Sequence, residues 1–405
     1  MRILLLNQFF APDPAPTGQL LADVARALVA DGHTVQVVCS HSPYAACDAY
    51  GHHGLENVGI HRGLGISFGR NALSRIASYS SFFVTALRHV MLGKPSDVVL
   101  TLTTPPLLSL SGTLAKIFRG SRHVIWEMDV YPDVAVALNV FAQGGLLDRG
   151  VGALADMSRR RADRIIALGS CMRQRLIGRG LQPDNITVAE NWVDASLISS
   201  RPFPPLSPLT LLYSGNLGHA HDETTLAGAM ARLTGSSRFR FVFAGGGSRR
   251  NGLELFCRER KLSNVEFLGY QSSQSFSDHL SRCHIGLVTQ KPETCGTVVP
   301  SKSYSLMAAG RPFIFIGPPS ATPATLIERF NCGWHIEPGD VSALVNLLEL
   351  LSAKPELIAA AGTRARNAVV EHFDLPAGVS RVVKVLTSQS IGNSHTGIPF
   401  HAAHK

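Results

Sequence analysis

Pro292-Glu-Thr-Cys-Gly-Thr-Val-Val-Pro300-Ser-Lys-Ser-Tyr-Ser-Leu-Met-Ala-Ala-Gly310-Arg-Pro-Phe-Ile-Phe-Ile-Gly317 is the stretch around which the remaining sequence can be ordered. It reads as a polar loop with Gly296 and Pro300, a short helix over Ser301–Ala309, a stop at Gly310 and a buried strand over Phe313–Ile316. Ser301 is the residue type that caps a helix start, and Gly310 supplies the left-handed conformation that ends one before Pro312 forbids more. A helix start carries unpaired N–H groups and a positive dipole end, so the Pro300–Lys302 corner, with the Lys302 ammonium added, is expected to attract an anion such as phosphate.

Working outward, apolar strands alternate with helical segments on both sides of this stretch. Toward the C-terminus, Ser342–Ser352 and Pro355–His372 read as closing helices. Toward the N-terminus, strands are expected at Thr210–Ser214, Arg238–Ala244, Val265–Leu268 and Ile285–Thr289, separated by helices at Glu223–Leu233, Leu253–Arg260 and Ser275–Cys283. A proline-rich run, Arg201-Pro-Phe-Pro-Pro-Leu-Ser-Pro208, marks a linker. Ahead of it a second series runs through strands at Arg2–Asn7, His33–Cys39, Asp97–Leu102, Arg122–Trp126 and Arg164–Leu168. Unbroken apolar strands interleaved with helices specify parallel sheets covered on both faces. The fold class is therefore α/β, with two Rossmann-like doubly wound domains facing across a cleft. The expected divisions are 1–198, a linker at 199–208, a second domain at 209–375, and a closing segment with a disordered tail at 376–405.

The totals agree with two cores, since 405 residues exceed the roughly 250–300 that one core usually serves. A formal net charge of +9 favours anionic partners. The seven cysteines, Cys39, Cys47, Cys171, Cys257, Cys283, Cys295 and Cys332, are odd in number and scattered. They read as reduced thiols and not as a disulfide frame or a zinc site. The apolar run Met1–Leu6 is too short for a signal-peptide core, and no later run approaches the length of a membrane span, so a cytoplasmic location is expected.

Ligands of doubly wound sheets bind at the carboxyl ends of strands. The loops to search are Gln8–Gly18, Thr103–Pro106 and Glu127–Asp133 in the first half, and Gly215–Asp222, Gly245–Arg250, Gln290–Lys302 and Gly317–Ala321 in the second. Tyr213-Ser-Gly-Asn-Leu-Gly218 ends a strand with two glycines, which either form a tight turn or let the backbone approach a ligand. Gly245-Gly-Gly-Ser-Arg-Arg250 combines flexibility with two guanidiniums, without the ending of a Walker loop. Glu127 and Asp129 share one side of a strand end but lack a third ligand for a divalent ion, and no metal site is expected. His123, inside a strand pattern, reads as a core or edge histidine.

Taken together, Tyr213–Gly218, the glycine loop at Gly245 and Pro-Ser-Lys-x-Tyr-x-x-Met-Ala-Ala-Gly-Arg-Pro over Pro300–Pro312 resemble the family-4 glycosyltransferases of the GT-B fold. Nearest are the bacterial members that build surface polysaccharides. Asn-Gln-Phe-Phe-Ala-Pro-Asp at Asn7–Asp13 with Gly18 beyond it, Gly32-His33, Trp126-Glu-Met-Asp-Val-Tyr-Pro-Asp133 and Asn191-Trp-Val-Asp194 extend the resemblance over about residues 1–375. The resemblance implies retaining, metal-independent transfer of a sugar from a UDP- or GDP-linked donor to a lipid-linked or polysaccharide acceptor. The nucleotide sugar is a co-substrate, no cofactor is required, and no nucleic acid is involved.

Carried across by position, the resemblance implies that Gly215 and Gly218 admit the diphosphate. Ser301 and Lys302 would hold it, with Lys302 offsetting charge on the departing nucleotide. Asn216, His219, Gly245, Arg249, Arg250, Glu293 and Ser305 complete the expected donor site. Gly18, Glu127 and Asp129 form the acceptor side, with Asp129 near the reacting hydroxyl. The chain departs from the family where many relatives carry an E-x7-E pair: Thr297 and Ser305 stand there, and Glu293 on the same loop is the expected partial substitute. His219, Ala220 and His221 replace an Arg and a Lys, leaving Arg249, Arg250 and Lys302 to neutralise the diphosphate. Met128 stands where many relatives have histidine. These departures keep two rivals open, a nucleotide-sugar epimerase of the same fold and a non-catalytic binding subunit.

Ser67–Lys94 mixes Arg70, Arg75, Arg88 and Lys94 with Ile76, Tyr79, Phe82, Phe83, Leu87 and Met91. It reads either as an amphipathic surface on anionic lipid, which would place the protein peripherally on the inner face of the cell membrane, or as a helix packed on its own sheet.

Overall fold

The computed structural model describes residues 1–13, 15–41, 55–63, 72–271 and 273–388. Residues 67–71 of the amphipathic stretch, Arg70 among them, and the expected tail after Ser388 lie outside these.

In the first half the apolar runs become strands buried on both faces. In chain order the elements are β1 (Arg2–Leu6), α1 (Pro16–Ala30), β2 (Thr34–Ser40), β3 (Gly59–Gly63), α2 (Ala72–Leu92), β4 (Val98–Thr101), α3 (Ser109–Arg119), β5 (Arg122–Glu127), α4 (Asp133–Ala137), α5 (Leu146–Arg161), β6 (Arg164–Ala167), α6 (Ser170–Gly178) and β7 (Ile186–Val188). They form a seven-stranded parallel sheet of order β3-β2-β1-β4-β5-β6-β7. The second half contains β8 (Leu209–Ser214), α7 (Thr224–Arg232), β9 (Phe239–Ala244), α8 (Arg250–Glu259), β10 (Val265–Leu268), α9 (Ser273–Ser281), β11 (Ile285–Thr289), α10 (Lys302–Ala308), β12 (Phe313–Ile316), α11 (Thr322–Phe330), β13 (Gly333–Ile336), α12 (Val341–Ala353) and α13 (Pro355–Ala368). Its six strands run parallel in the order β10-β9-β8-β11-β12-β13.

Both orders reverse direction once, between β1 and β4 and between β8 and β11. At such a switch point the loops leave the sheet on opposite sides and open a crevice. The loops after β1 and β4 carry Gln8–Gly18 and Thr103, and those after β8 and β11 carry Gly215–Asp222 and Gln290–Lys302. Each half thus presents its crevice through the segments that the sequence marks as candidates.

Three strands, β3, β7 and β13, are not expected from the sequence. Each is short, lies at or beside a sheet edge, and carries polar or glycine residues that interrupt the apolar run. A larger difference concerns the closing segment. It forms a helix, α14 (Leu375–Thr387), that returns to the first domain. There Val379, Val382, Val383, Val385 and Leu386 join the core built from Ile3, Leu5, Leu21, Val24 and Trp126. Arg122 of β5 fixes its end by donating to the carbonyls of Leu386 and Val385 at 2.9 and 2.8 Å. The boundary at 198 also moves, because Ala195 and Ile198 belong to the second domain's core. The chain crosses between domains twice, and the two crossings are bonded: Val193 N–H donates to Phe373 at 3.1 Å and Ala195 N–H to the Asp374 carboxylate at 2.9 Å.

The 72–94 part of the amphipathic stretch is an ordinary sheet-covering helix on one face. Phe82, expected on the lipid-facing side, is 1% exposed and packs with Leu4, Leu6 and Val99. On the opposite face, positions 76, 80, 84, 88 and 92 recur every four residues, and Ile76, Val84 and Leu92 are exposed. Among the described residues no helix is long and apolar enough to cross a membrane.

Candidate active site between the two domains

A cavity of about 1650 Å³ lies between the halves. Its first-domain wall includes Thr17, Gln19, Met128 and Asp129, and its second-domain wall includes Val299, Ser301 and Ser305. The halves touch directly here, since the Val130 amide donates to the Thr297 carbonyl at 2.9 Å.

Immediately after Ser301, Lys302 sits at the start of α10. Its ammonium donates to the Asn216 carbonyl at 2.9 Å and to the Tyr213 hydroxyl at 2.5 Å, lies 4.1 Å from the centre of the Tyr213 ring, and approaches Nε2 of His221 at 3.4 Å. Nδ1 of His221 faces the Thr289 carbonyl at 2.7 Å, so it carries the proton and leaves Nε2 as an acceptor. Burial, reinforced by the Lys302 charge, lowers the His221 pKa to about 3, keeping the ring neutral. Burial alone lowers Lys302 to about 7. The lysine is thus a cation that is only partly ionised at neutral pH and gains charge when an anion approaches.

Gly215 has φ of +116°, and a Cβ there would stand 2.9 Å from Cε of Lys302. Any side chain would both strain the turn and displace the lysine. Gly245, at φ of +123°, would place a Cβ 2.5 Å from the Gly215 carbonyl, so the two glycine loops pack on each other. At Gly218 a Cβ would meet nothing, and no contact within the protein explains that glycine. Gly18 brings α1 against the first loop, where a Cβ would stand only 3.1 Å from the Phe10 backbone.

Ser301 occupies the cap position, but its hydroxyl makes no cap bond and α10 has only seven residues. The expected dipole contribution is correspondingly small, and the positive feature of this corner is the lysine itself.

The arginines differ from expectation. Arg250 is committed to shaping its own loop: its guanidinium donates to the Gly245 carbonyl, to Leu268 at 2.6 Å, and to Glu254 at 2.9 and 2.8 Å. Arg249 pairs with Glu223 at 2.7 Å. Neither guanidinium is placed as a free phosphate cation. His219 and Asn216 are exposed and neither walls the cavity; the Asn216 side-chain oxygen accepts from the Tyr270 hydroxyl. Glu293 is exposed on a turn at Pro292–Thr294 and does not wall the cavity. Thr297 is buried, with its hydroxyl donating to Thr294 at 2.9 Å.

On the first-domain side the two acidic residues of Glu127-Met-Asp129 separate completely. Glu127 is buried and forms a two-point ion pair with Arg159 at 2.7 and 3.3 Å, extended through Asp156 to Arg179. The strand ends at Glu127, so the alternation that would keep the two carboxyls on one face does not reach Asp129; with Arg159 as its partner, Glu127 is a structural residue and does not line the acceptor side. Asp129 does wall the cavity, and its backbone is held by the Thr103 hydroxyl at 3.1 Å. Burial, with a smaller contribution from the Glu127 charge, raises its pKa to about 6. A carboxylate with that value is a usable proton acceptor near neutral pH. His123 is wholly buried, shares a hydrogen bond with Thr101 at 3.0 Å, and is kept neutral by burial, its pKa lowered to about 3. Among the described residues no three His, Cys, Asp or Glu side chains are grouped to hold a metal ion.

Comparison with known proteins fits this geometry. Residues 17–192 match the glycosyl transferase 4-like domain and residues 198–368 match the group 1 glycosyl transferases, so the two models together span both halves of the cleft. The chain belongs to the family-4 glycosyltransferases. Among relatives of this glycosyltransferase, the chain is 24% identical to the glycosyltransferase WbjE of Pseudomonas aeruginosa over 289 residues, covering 68% of this chain and 72% of that protein. It is 25% identical over 374 residues to WcaI of Escherichia coli strain K12, named as a colanic acid biosynthesis glycosyl transferase, covering 85% and 90%. The fold of HepE from Anabaena, solved in complex with UDP, superposes with a TM-score of 0.72 at 16% identity, over 96% of this chain and all of that one. The GT-B architecture is thereby shared.

Two members of the cluster, Tyr213 and His221, are not singled out as site residues by the sequence. Tyr213 lies within the strand that ends at the glycine turn, and His221 stands out only as the replacement of a basic residue. Their role at Lys302 arises because β8 and β11 are neighbours, which brings the turn after β8 beside the loop after β11.

Proposed function

We propose that this glycosyltransferase binds a nucleotide-diphosphate sugar on its second domain and transfers the sugar, with retained configuration and without a metal ion, to a lipid-linked or polysaccharide hydroxyl during surface-polysaccharide synthesis. The observation that carries the reading is the Lys302 ammonium, set between the Gly215 turn and the head of α10 with a depressed pKa. A diphosphate on that turn would raise the lysine's pKa, and the completed charge would stabilise the nucleotide as the sugar–phosphate bond breaks. This single cation, with backbone N–H groups of the turn, takes the place that a divalent ion would otherwise fill. Ser301 and Ser305 wall the donor side, and Asp129 stands opposite as the group nearest in chemistry to an acceptor-hydroxyl base.

The name of WcaI supports a role in surface polysaccharide, and retention is the chemistry implied by the family. HepE was solved with UDP, which makes UDP sugars the first donors to examine. The exposed stripe of α2, with Arg88 between Val84 and Leu92, together with exposed Ile117 and Phe118 of the neighbouring α3, supports contact with an anionic membrane carrying a lipid-linked acceptor.

The test is thermal stabilisation by UDP, GDP, ADP and TDP and their sugars, followed by transfer of labelled sugar to membrane lipid extracts. A selective rise in melting point with one nucleotide, and labelled lipid with its sugar, is expected. No stabilisation by any nucleotide at millimolar concentration would sink the reading.

A further inference from the structure

The domain contact beside the cleft contains a cysteine pair that glycosyl transfer does not use. Cys171 is the second residue of α6 in the first domain, and Cys295 lies on the second domain's loop leading to Lys302. The sulfurs occupy adjoining positions: Cys171 Sγ is 3.3 Å from the Thr322 hydroxyl and Cys295 Sγ is 3.5 Å from the Ser320 hydroxyl, two residues earlier on the same turn. Each thiol is close enough to perturb the ionisation of the other. The surrounding backbone is closely matched, since a Cβ on Gly296 would stand 2.6 Å from the Cys171 carbonyl and Arg175 donates to the Cys295 carbonyl at 3.1 Å.

The electrostatics of the pair are asymmetric. The first turns of α6 and α11 meet here, for a Cβ on Gly169, the cap of α6, would strike the Thr322 hydroxyl. Partial positive charge from two helix starts favours a thiolate. The neighbouring Cys295, and after it the Thr322 hydroxyl, draw the Cys171 thiol below its ordinary value against the opposing effect of burial, while Cys295 is pushed up by the same pairing. Cys39, Cys257, Cys283 and Cys332 instead have pKa values raised by burial to about 11, 11, 12 and 12, and are inert by comparison. Cys295 is partly exposed, which gives the pair access to small solutes.

We propose that Cys171 and Cys295 are a redox modification site, at which hydrogen peroxide converts the two thiols to a disulfide joining the domains. The Cys171 thiolate attacks the peroxide, forming an S–O bond and breaking O–O; the leaving hydroxide takes a proton and departs as water. The Cys295 sulfur then attacks the Cys171 sulfenic acid, S–S forms and S–O breaks, and the Cys295 proton leaves with the hydroxide as a second water. Two thiols are oxidised and one peroxide is reduced. The bond would make the contact between α6 and the Lys291–Ser301 loop permanent, fixing the separation of the cleft walls beside Lys302.

The experiment is peroxide treatment of the full chain, denaturing thiol titration, and mass mapping of peptides before and after dithiothreitol. The expected result is a fall from seven titratable thiols to five, a linked Cys171–Cys295 peptide that dithiothreitol separates, and no link in Cys171→Ser or Cys295→Ser. Melting curves of both variants confirm that they remain folded. Recovery of the two cysteines unlinked, or an equal loss of thiols in Cys171→Ser, would overturn the proposal. The readout is covalent and requires no sugar transfer, so its outcome is independent of the assignment of donor and acceptor.

Discussion

The Val130 amide donates to the Thr297 carbonyl at 2.9 Å across the domain boundary. Val130 follows Asp129, and Thr297 lies five residues before Lys302, so one backbone bond sets the reach between the candidate proton acceptor and the candidate phosphate cation. Neither residue contributes its side chain, and the link would persist through most substitutions at either position.

Lys302→Met keeps the aliphatic stem against Gly215 and removes the ammonium. Transfer should fall by about 10²–10³-fold, the range seen when one preorganised electrostatic partner is lost. The melting temperature should hold or rise, because an incompletely solvated cation has been removed. Steady-state kinetics with the donor found by thermal stabilisation, beside melting curves, checks both; unchanged kinetics would remove Lys302 from the mechanism.

Nucleotide affinity should decline as pH rises above 7. Free Lys302 has its pKa lowered to about 7 and a bound diphosphate favours its protonated form, so binding takes up a proton above that pH. Calorimetric titration with UDP between pH 7 and 9 should show roughly a tenfold loss per unit at the alkaline end. Lys302→Met should flatten that dependence, and a flat profile in the unaltered protein would contradict the assignment.

Asp129→Asn should lose activity and gain stability. The folded carboxyl has a pKa raised to about 6 from 3.8, so the folded state holds the proton more tightly and the group's penalty grows as pH rises from about 4 to 6. Above pH 6 the penalty is complete, and the asparagine variant should be more stable by roughly 1–3 kcal/mol. In the unaltered enzyme, kcat/KM should rise with pH through an apparent value near 6. Urea unfolding at pH 7.5 and a pH–rate profile separate this from a purely structural role.

Arg159→Met should behave oppositely. It leaves Glu127 buried and unpaired, an error that costs about 3–5 kcal/mol. Denaturant midpoints should fall sharply, whereas nucleotide stabilisation of the molecules that fold should persist. Glu127→Gln with Arg159→Met, which removes both charges, should recover part of the loss.

Replacing Ile76, Val84 and Leu92 together with aspartate should release the protein from anionic vesicles. These side chains are exposed, so the melting temperature should change little. Retained sedimentation with phosphatidylserine vesicles would place the membrane contact elsewhere.

Much of the architecture is legible because a parallel strand buried on both faces leaves an unbroken apolar run, as at Ile285–Thr289 and Phe313–Ile316. Edge strands such as Gly333–Ile336 carry Gly333 and His335 and do not leave that mark. The loops of the site are legible through Gly215, Gly245 and Pro300–Lys302, whose residue types have local reasons. What each charge does is not. Arg250 and Glu127 look alike in sequence to any other charged loop residues, and only the fold shows that their partners are Gly245, Leu268 and Glu254 in one case and Arg159 in the other. Phe82 defeats a sequence reading because the amphipathic helix has two apolar stretches here, a core face and an exposed stripe, and periodicity alone does not say which faces inward.

The return of α14 to the first domain reverses the usual order of events during synthesis. Domains ordinarily complete themselves as they leave the ribosome, the N-terminal one first. Here the sheet that contains β1 lacks Val379, Val382 and Leu386 until almost the entire described chain has emerged. The second domain, whose core ends at Phe373, is complete earlier. The half that emerges first is thus the last to close, and a chain ending between Phe373 and Leu375 would carry a complete second-domain core beside an unfinished first domain.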